Sequence, residues 1–273
     1  MKTRLPLYTL AILALFVSSC SPRIYFPDRA NVPFLSEAGE MKLTAATKVQ
    51  NQISGHVSMS PSLDFSASPI KGLGLMVSFR NTNRFANDEN WLTLGNTEQD
   101  SIHYSGNRFE FGAGYYMPFG RVGQFEIYAG GGFGSINRDN LKAIDGNFRA
   151  NYNRIFIQPT CGAKIKDIVE IAGGMRFSYQ HFTDFSSTDP NMEENLSGSG
   201  VRIQGSSFVF WEPFIDFSVG GKYAKFNLQT GAGVNMATSE HLNNPSPFYM
   251  SLGVTFNLAP RFRTGSSSAK TAH

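Results

Sequence analysis

Residues 248–258 read FYMSLGVTFNL, and they alternate without a break. Phe248, Met250, Leu252, Val254, Phe256 and Leu258 share one parity; Tyr249, Ser251, Gly253, Thr255 and Asn257 share the other. Successive side chains of a β-strand point to opposite faces, so this stretch is predicted to be a strand with one apolar and one polar side.

The same period recurs along the chain. Val57–Ala67, Leu73–Arg80, Phe109–Met117, Phe125–Phe133, Arg154–Ile165, Val169–Ser178, Val209–Val219 and Ala224–Asn235 alternate in this way, and Met41–Gln50 does so more weakly. The pattern predicts about ten strands, most of them near the 9–11 residues that a tilted strand needs to cross a bilayer. A soluble sandwich would alternate too, with its apolar face inward. Connection length favours a membrane barrel. Links at 69–72, 120–123, 166–167 and 220–221 are tight, whereas 81–105, 137–150, 184–204 and 237–247 are long and polar. Short links on one side and long ones on the other are the asymmetry of outer-membrane barrels, periplasmic against extracellular. An even strand number puts both termini in the periplasm. The predicted fold is therefore all-β, a transmembrane up-and-down antiparallel barrel. Pro159 and Pro213 fall mid-strand, where each removes a ladder donor. Both are read as bulge sites; if they break their strands, the barrel has eight strands and not ten.

Composition agrees. The chain holds 27 Gly, 24 Phe and 10 Tyr, with only 16% charged residues. Such a balance suits a β-protein whose outer face is not water. The net charge of +3 is too small to imply nucleic acid.

The front end reads as an export signal. Lys2 and Arg4 precede an apolar run, Leu5–Val17, that is shorter than the ~20 residues of a spanning helix. Val17-Ser18-Ser19-Cys20 resembles a bacterial lipobox, which makes Cys20 the expected acylation point and first mature residue; an ordinary cleaved signal is the alternative. Cys161, the only other cysteine, is expected to act as a small apolar residue in its strand. The chain divides into a signal peptide (1–19), a periplasmic tether (20–40), the barrel (41–260) and a disordered tail (261–273). The tether either closes the periplasmic mouth or runs along the membrane surface.

Glu37-Ala38-Gly39-Glu40, preceded by Asn31–Leu35, and the hairpin Ser68–Met76 resemble small outer-membrane β-barrel (lipo)proteins of the Bacteroidota, as does Trp211-Glu212-Pro213. That family is described largely by fold, so the resemblance implies a location and an architecture. The terminal Ser251, Gly253, Phe256 and Leu258 resemble the β-signal read by the outer-membrane assembly machinery. That machinery and outer-membrane lipid are the expected partners, with the N-terminus lipid-anchored on the periplasmic side.

With apolar residues facing lipid, the polar parity faces the lumen, and its charges nearly balance. Lys164 is predicted opposite Glu170, Asp216 opposite Lys225, and Arg176 level with Glu212. Unpaired buried charge costs several kcal/mol, so a narrow lumen is expected to be ion-paired. Barrels of about eight strands are just wide enough inside for side chains to fill, and ten adds little. The interior rings Tyr116, Tyr128, Phe156, Phe208, Phe210 and Phe214 add bulk, and a packed lumen follows.

Chemistry is sparse. His181 with Asp184, His103 near Asp100, and His241 beside Glu240 are histidine–carboxylate pairs, but no serine stands near them in a nucleophile motif. Asp189, Glu193 and Glu194 make an acidic loop without a calcium-loop pattern. No cofactor, metal or enzymatic activity is expected. The sequence reading is a barrel with a structural or surface-binding role through its extracellular loops, with a surface ligand it does not name. A narrow pore or transporter is the alternative, and an outer-membrane hydrolase comes third.

Overall fold

The structure, a computed structural model, describes residues 24–51, 57–87, 101–140, 146–165, 168–197, 202–236 and 248–258. The signal peptide, Cys20, Asp100, the Glu240–His241 pair and the tail lie outside these residues. The strands are β1 (Met41–Asn51), β2 (Val57–Ile70), β3 (Leu73–Asn87), β4 (Ser101–Phe119), β5 (Gly123–Asn140), β6 (Phe148–Ile165), β7 (Val169–Ser187), β8 (Ser207–Gly220), β9 (Ala224–Ala232), the short β10 (Val234–Asn235) and β11 (Phe248–Asn257). β10 continues β9 past Gly233, so the sheet has ten staves. One short helix, α1 (Met192–Ser197), lies between β7 and β8.

Each stave pairs antiparallel with its sequence neighbours, β1 pairs with β11, and β8 pairs with β9, so the sheet closes. This is an all-β, closed antiparallel ten-stranded barrel. The β1–β11 seam runs in one register from Lys42↔Asn257 to Val49↔Met250.

The prolines do not act as expected. The β6–β7 ladder has the same register on both sides of Pro159, from Ile157↔Phe177 to Thr160↔Gly174. Met175↔Pro213 sits in an unshifted β7–β8 ladder. Neither proline is a bulge. Pro213 lacks the N–H that would reach β9, and β9 is interrupted there, at Gly233, without losing register. Register shifts occur at Ala67–Ile70 and Asn151–Tyr152.

Strands are longer than the alternation implied. β4 has 19 residues. At about 3.3 Å each it runs roughly 60 Å, twice what the ~30 Å hydrocarbon layer requires. The extra length is a wall at the long-connection end. Along β4 the outward parity reads Phe109, Phe111, Ala113, Tyr115 and Met117, then changes to Asn107, Ser105 and His103. The inward parity changes with it, from Glu110 and Arg108 to Tyr104 and Ile102, which are buried. Similar reversals occur on β5 between Phe133 and Ser135, and on β6 between Ile155 and Asn153. Below the reversal lipid is outside and polar groups go in; above it water is outside and apolar groups go in. The upper interior is a conventional core of Ile102, Ile136, Phe148, Tyr152, Phe182, Ile203 and their neighbours.

The outer band below the reversal exposes large apolar side chains on every stave but β1, where Met41 and Leu43 are half-buried, among them Phe133 at 58%, Ile155 at 62% and Phe226 at 72%. A continuous apolar belt of this extent far exceeds the patches of a few hundred Å² seen on soluble monomers. No helix among the described residues is long and apolar enough to cross a membrane; the crossing is made by strands.

Candidate functional site

The candidate site is the lumen, and what fills it is the chain itself. Residues 24–35 run through the barrel from one mouth to the other. Leu35 and Phe34 lie near the short connections: their N–H groups donate to Glu126 at 2.8 and 3.0 Å, and Gln124 Nε2 donates to the Leu35 carbonyl. Phe34 has φ 48°, the left-handed region that a side chain disfavours, and this turns two successive N–H groups onto one carboxylate. Midway, Asn31 bonds Ser66 and Ser78, its carbonyl accepts from Gln158 Nε2 at 2.7 Å, and Ala30 exchanges two hydrogen bonds with Gln229.

Arg29 is the wedge. Its guanidinium lies 3.2 Å from Asp64 on β2 and 3.7 Å from Asp216 on β8, and it donates to Asn227 on β9. Its carbonyl accepts from Arg80 Nε and Nη2 at 3.2 and 3.0 Å. Asp28 lies 3.6 Å from Lys48 and 3.3 Å from Arg108. At the far end Tyr25 donates to Glu212 and stacks on Phe210 with centroids 3.7 Å apart, Phe26 meets Tyr104 edge to face, and Ile24 joins the upper core.

The wall residues anticipated from sequence are all lumenal; two of the expected placements recur and one does not. Lys164 and Glu170 are direct register partners, 3.8 Å apart. Glu170 also meets Lys225 at 2.9 Å and Lys42 at 3.6 Å. Asp216 is not opposite Lys225: its register partner is Gln229, and that of Lys225 is Gly220. The turn is not Gly220-Gly221 but 221–223, which moves the register along β9; Asp216 instead faces Arg29. Arg176 is the register partner of Glu212. Its ionic partner, however, is Glu110 at 3.0 Å, while Glu212 takes Arg154 and Tyr25. A lumen lets charges meet across the barrel and through the plug, which strand-by-strand pairing ignores. In β11, Ser251 is buried in the lumen, and Phe256 and Leu258 face outward.

β1 begins, and β11 ends, at the short-connection mouth. Of the two expectations for the segment ahead of β1, its described residues 24–35 do not follow the surface path: Phe34 and Leu35 fill that mouth, and the segment continues beyond it. It passes up the lumen, so Ile24 and Leu258 are at opposite ends. Lumen glycines make room for it and for the wall rings: a Cβ on Gly233 would sit 2.8 Å from both Pro27 and Tyr25, and one on Gly130 would sit 2.7 Å from Phe156.

Elsewhere, His103 bonds Asn83 at 2.8 Å. His181 Nδ1 lies 2.9 Å from Ser207 Oγ, which also accepts from Tyr179 at 2.6 Å. Sequence reading missed this serine because it stands on the neighbouring strand, 26 positions away. The trio sits on the outer wall where the apolar belt ends. Glu193 accepts from the N–H groups of Ile203 and Gln204, and Asp189 from that of Asn191. Among the described residues no group of three or more potential ligands could hold a metal. Cys161 is free and exposed on the outer face.

A closed barrel with an apolar belt, a polar interior and unequal connections defines a transmembrane β-barrel of the outer-membrane type. No protein-family model matches the chain, and no curated protein matches it in sequence. Solved structures do. The translocator domain of the autotransporter NalP from Neisseria meningitidis is similar over 82% of this chain and 90% of its own, at 8% identity and TM-score 0.46. The outer-membrane protease OmpT of Escherichia coli is similar over 80% and 94%, at 10% identity and TM-score 0.38. The outer-membrane OmpT of Vibrio cholerae is similar over 81% and 62%, at 11% identity and TM-score 0.32. These likenesses concern barrel shape alone. The expectation that the chain is not an enzyme is withdrawn on this account, because a protease is among the barrels it matches. At 10% identity the match assigns no reaction.

Proposed function

We propose that the protein is a non-conducting outer-membrane barrel, closed by its own N-terminal segment, that works through its long-connection face. The observation that carries this reading is Arg29, wedged between Asp64 and Asp216 on opposite stretches of wall. A buried guanidinium satisfied by two carboxylates and an amide is costly to withdraw, since breaking one buried pair costs about 3–5 kcal/mol. The upper core supports the second half of the reading. It makes the wall above the belt rigid enough to carry the connections 88–100, 141–147, 188–206 and 236–247 as recognition or envelope-contact elements. Acylation of Cys20 and recognition of Ser251, Gly253, Phe256 and Leu258 by the assembly machinery belong to the same proposal, as does the periplasmic placement of the short connections. The test is conductance in planar bilayers. The whole protein is expected to give no channel steps, and a variant lacking residues 24–35 to give them. Steady conductance from the whole protein would refute the reading.

A further inference from the structure

We propose that the lumen segment leaves the barrel at Ile24 toward the long-connection side, so that its N-terminal end opens on the cell surface. The order of contacts sets the direction. Leu35 touches Gln124, next to the short connection 120–122. Arg29 is midway, on Asp64 and Asn227. Tyr25 and Phe26 meet Phe210 and Tyr104. Ile24 is packed in the core with Ile102, Ile136, Phe182 and Ile203, which belong to the long-connection end. Eleven residue steps at about 3.3 Å span ~36 Å, enough for one full passage through the membrane layer.

A chain that doubled back from Ile24 would have to pass the level of Arg29 and Asn31. There the segment is bonded to β2, β3, β6, β8 and β9 at once. The cavity beside Tyr25, Asp28 and Arg108 measures about 20 Å³, room for one water and not for a polypeptide. The remaining direction is outward.

The inference rests on the orientation proposed above, and the test separates the two. An epitope is placed, one per variant, between Pro22 and Arg23, within 88–100, or between Arg121 and Val122, and antibody is added to intact cells. Heat-modifiable gel mobility checks that each barrel is folded. The first two epitopes are expected to bind on intact cells and the third only after permeabilisation. An N-terminal epitope that behaves like the 121–122 epitope overturns the inference, whichever face is outside. A loop epitope protected while the 121–122 epitope binds overturns the orientation, and surface display with it. Should the N-terminal insertion block folding, Arg23→Cys in a Cys161→Ala background gives the same readout with a membrane-impermeant maleimide: labelling on intact cells is expected, and labelling only after permeabilisation overturns the inference.

Discussion

Arg29, Asp28 and Tyr128 each show how a packed, polar lumen distributes its costs. Arg29→Ala leaves Asp216 without its cation, whereas Asp64 keeps Arg80 at 2.6 Å. One orphaned carboxylate should destabilise the folded barrel by at least about 3 kcal/mol. Thermal unfolding of the detergent-solubilised protein measures it, and an unchanged transition would remove Arg29 from its wedge role. Asp28→Asn should loosen the segment, because Lys48 and Arg108 lose the carboxylate that lies 3.6 and 3.3 Å from them. Protease digestion of the folded barrel measures it, and an unchanged digestion rate would remove Asp28 from the anchorage of the segment. Tyr128 Oη is buried without a hydrogen-bond partner and would lie 2.1 Å from a Cβ on Gly74. Gly74→Ala should cost about 1–3 kcal/mol by overpacking. Tyr128→Phe should recover part of that loss, because it removes the clashing atom and forfeits no bond.

The strands explain what was readable in the sequence and what was not. Alternation located every stave, because one outer face in lipid and one inner face in a polar lumen make period two unmistakable. It failed where the outside changes from lipid to water. Ser105, Asn107, Asn151 and Asn153 face outward, and Ile102, Tyr104 and Tyr152 face inward, so the parity continues while its chemistry inverts. A pattern search for apolar-out strands stops at that inversion and assigns the rest to loops. The prolines misled for a related reason: a missing ladder donor need not shift register when the other neighbour holds the strand, as β7 holds β8 across Met175↔Pro213. The inversion also marks the membrane boundary, and substitutions can read it. Phe111→Arg, inside the belt, should cost about 2–4 kcal/mol, and Asn107→Arg, four residues higher on the same face, about 0–1. Assembly yield together with unfolding midpoint distinguishes them. Equal effects would mean that the boundary is misplaced.

The barrel as a whole is a sheet wrapped around an extended segment of its own chain. Residues 24–35 have no period, because they make no sheet; each contacts whichever strand it happens to face. Mixed aromatics, prolines and charges in a presumed tether were the visible trace of that role, and they named no partners. The ion pairs were half legible for the same reason. Local hairpin pairs such as Lys164 with Glu170 follow from turn position, whereas Arg29 with Asp216 and Arg176 with Glu110 depend on closure of the ring. The most direct test of the threaded lumen is a cross-link between segment and wall. Ala30 and Gln229 exchange two hydrogen bonds at 2.7 and 3.0 Å. Cysteines at these two positions, in a Cys161→Ala background, should be joined in high yield by a short bifunctional thiol reagent in the folded barrel and not after denaturation. A folded, heat-modifiable barrel that joins a control pair at Asp216 and Gln229 but not the Ala30–Gln229 pair would show that the segment lies elsewhere.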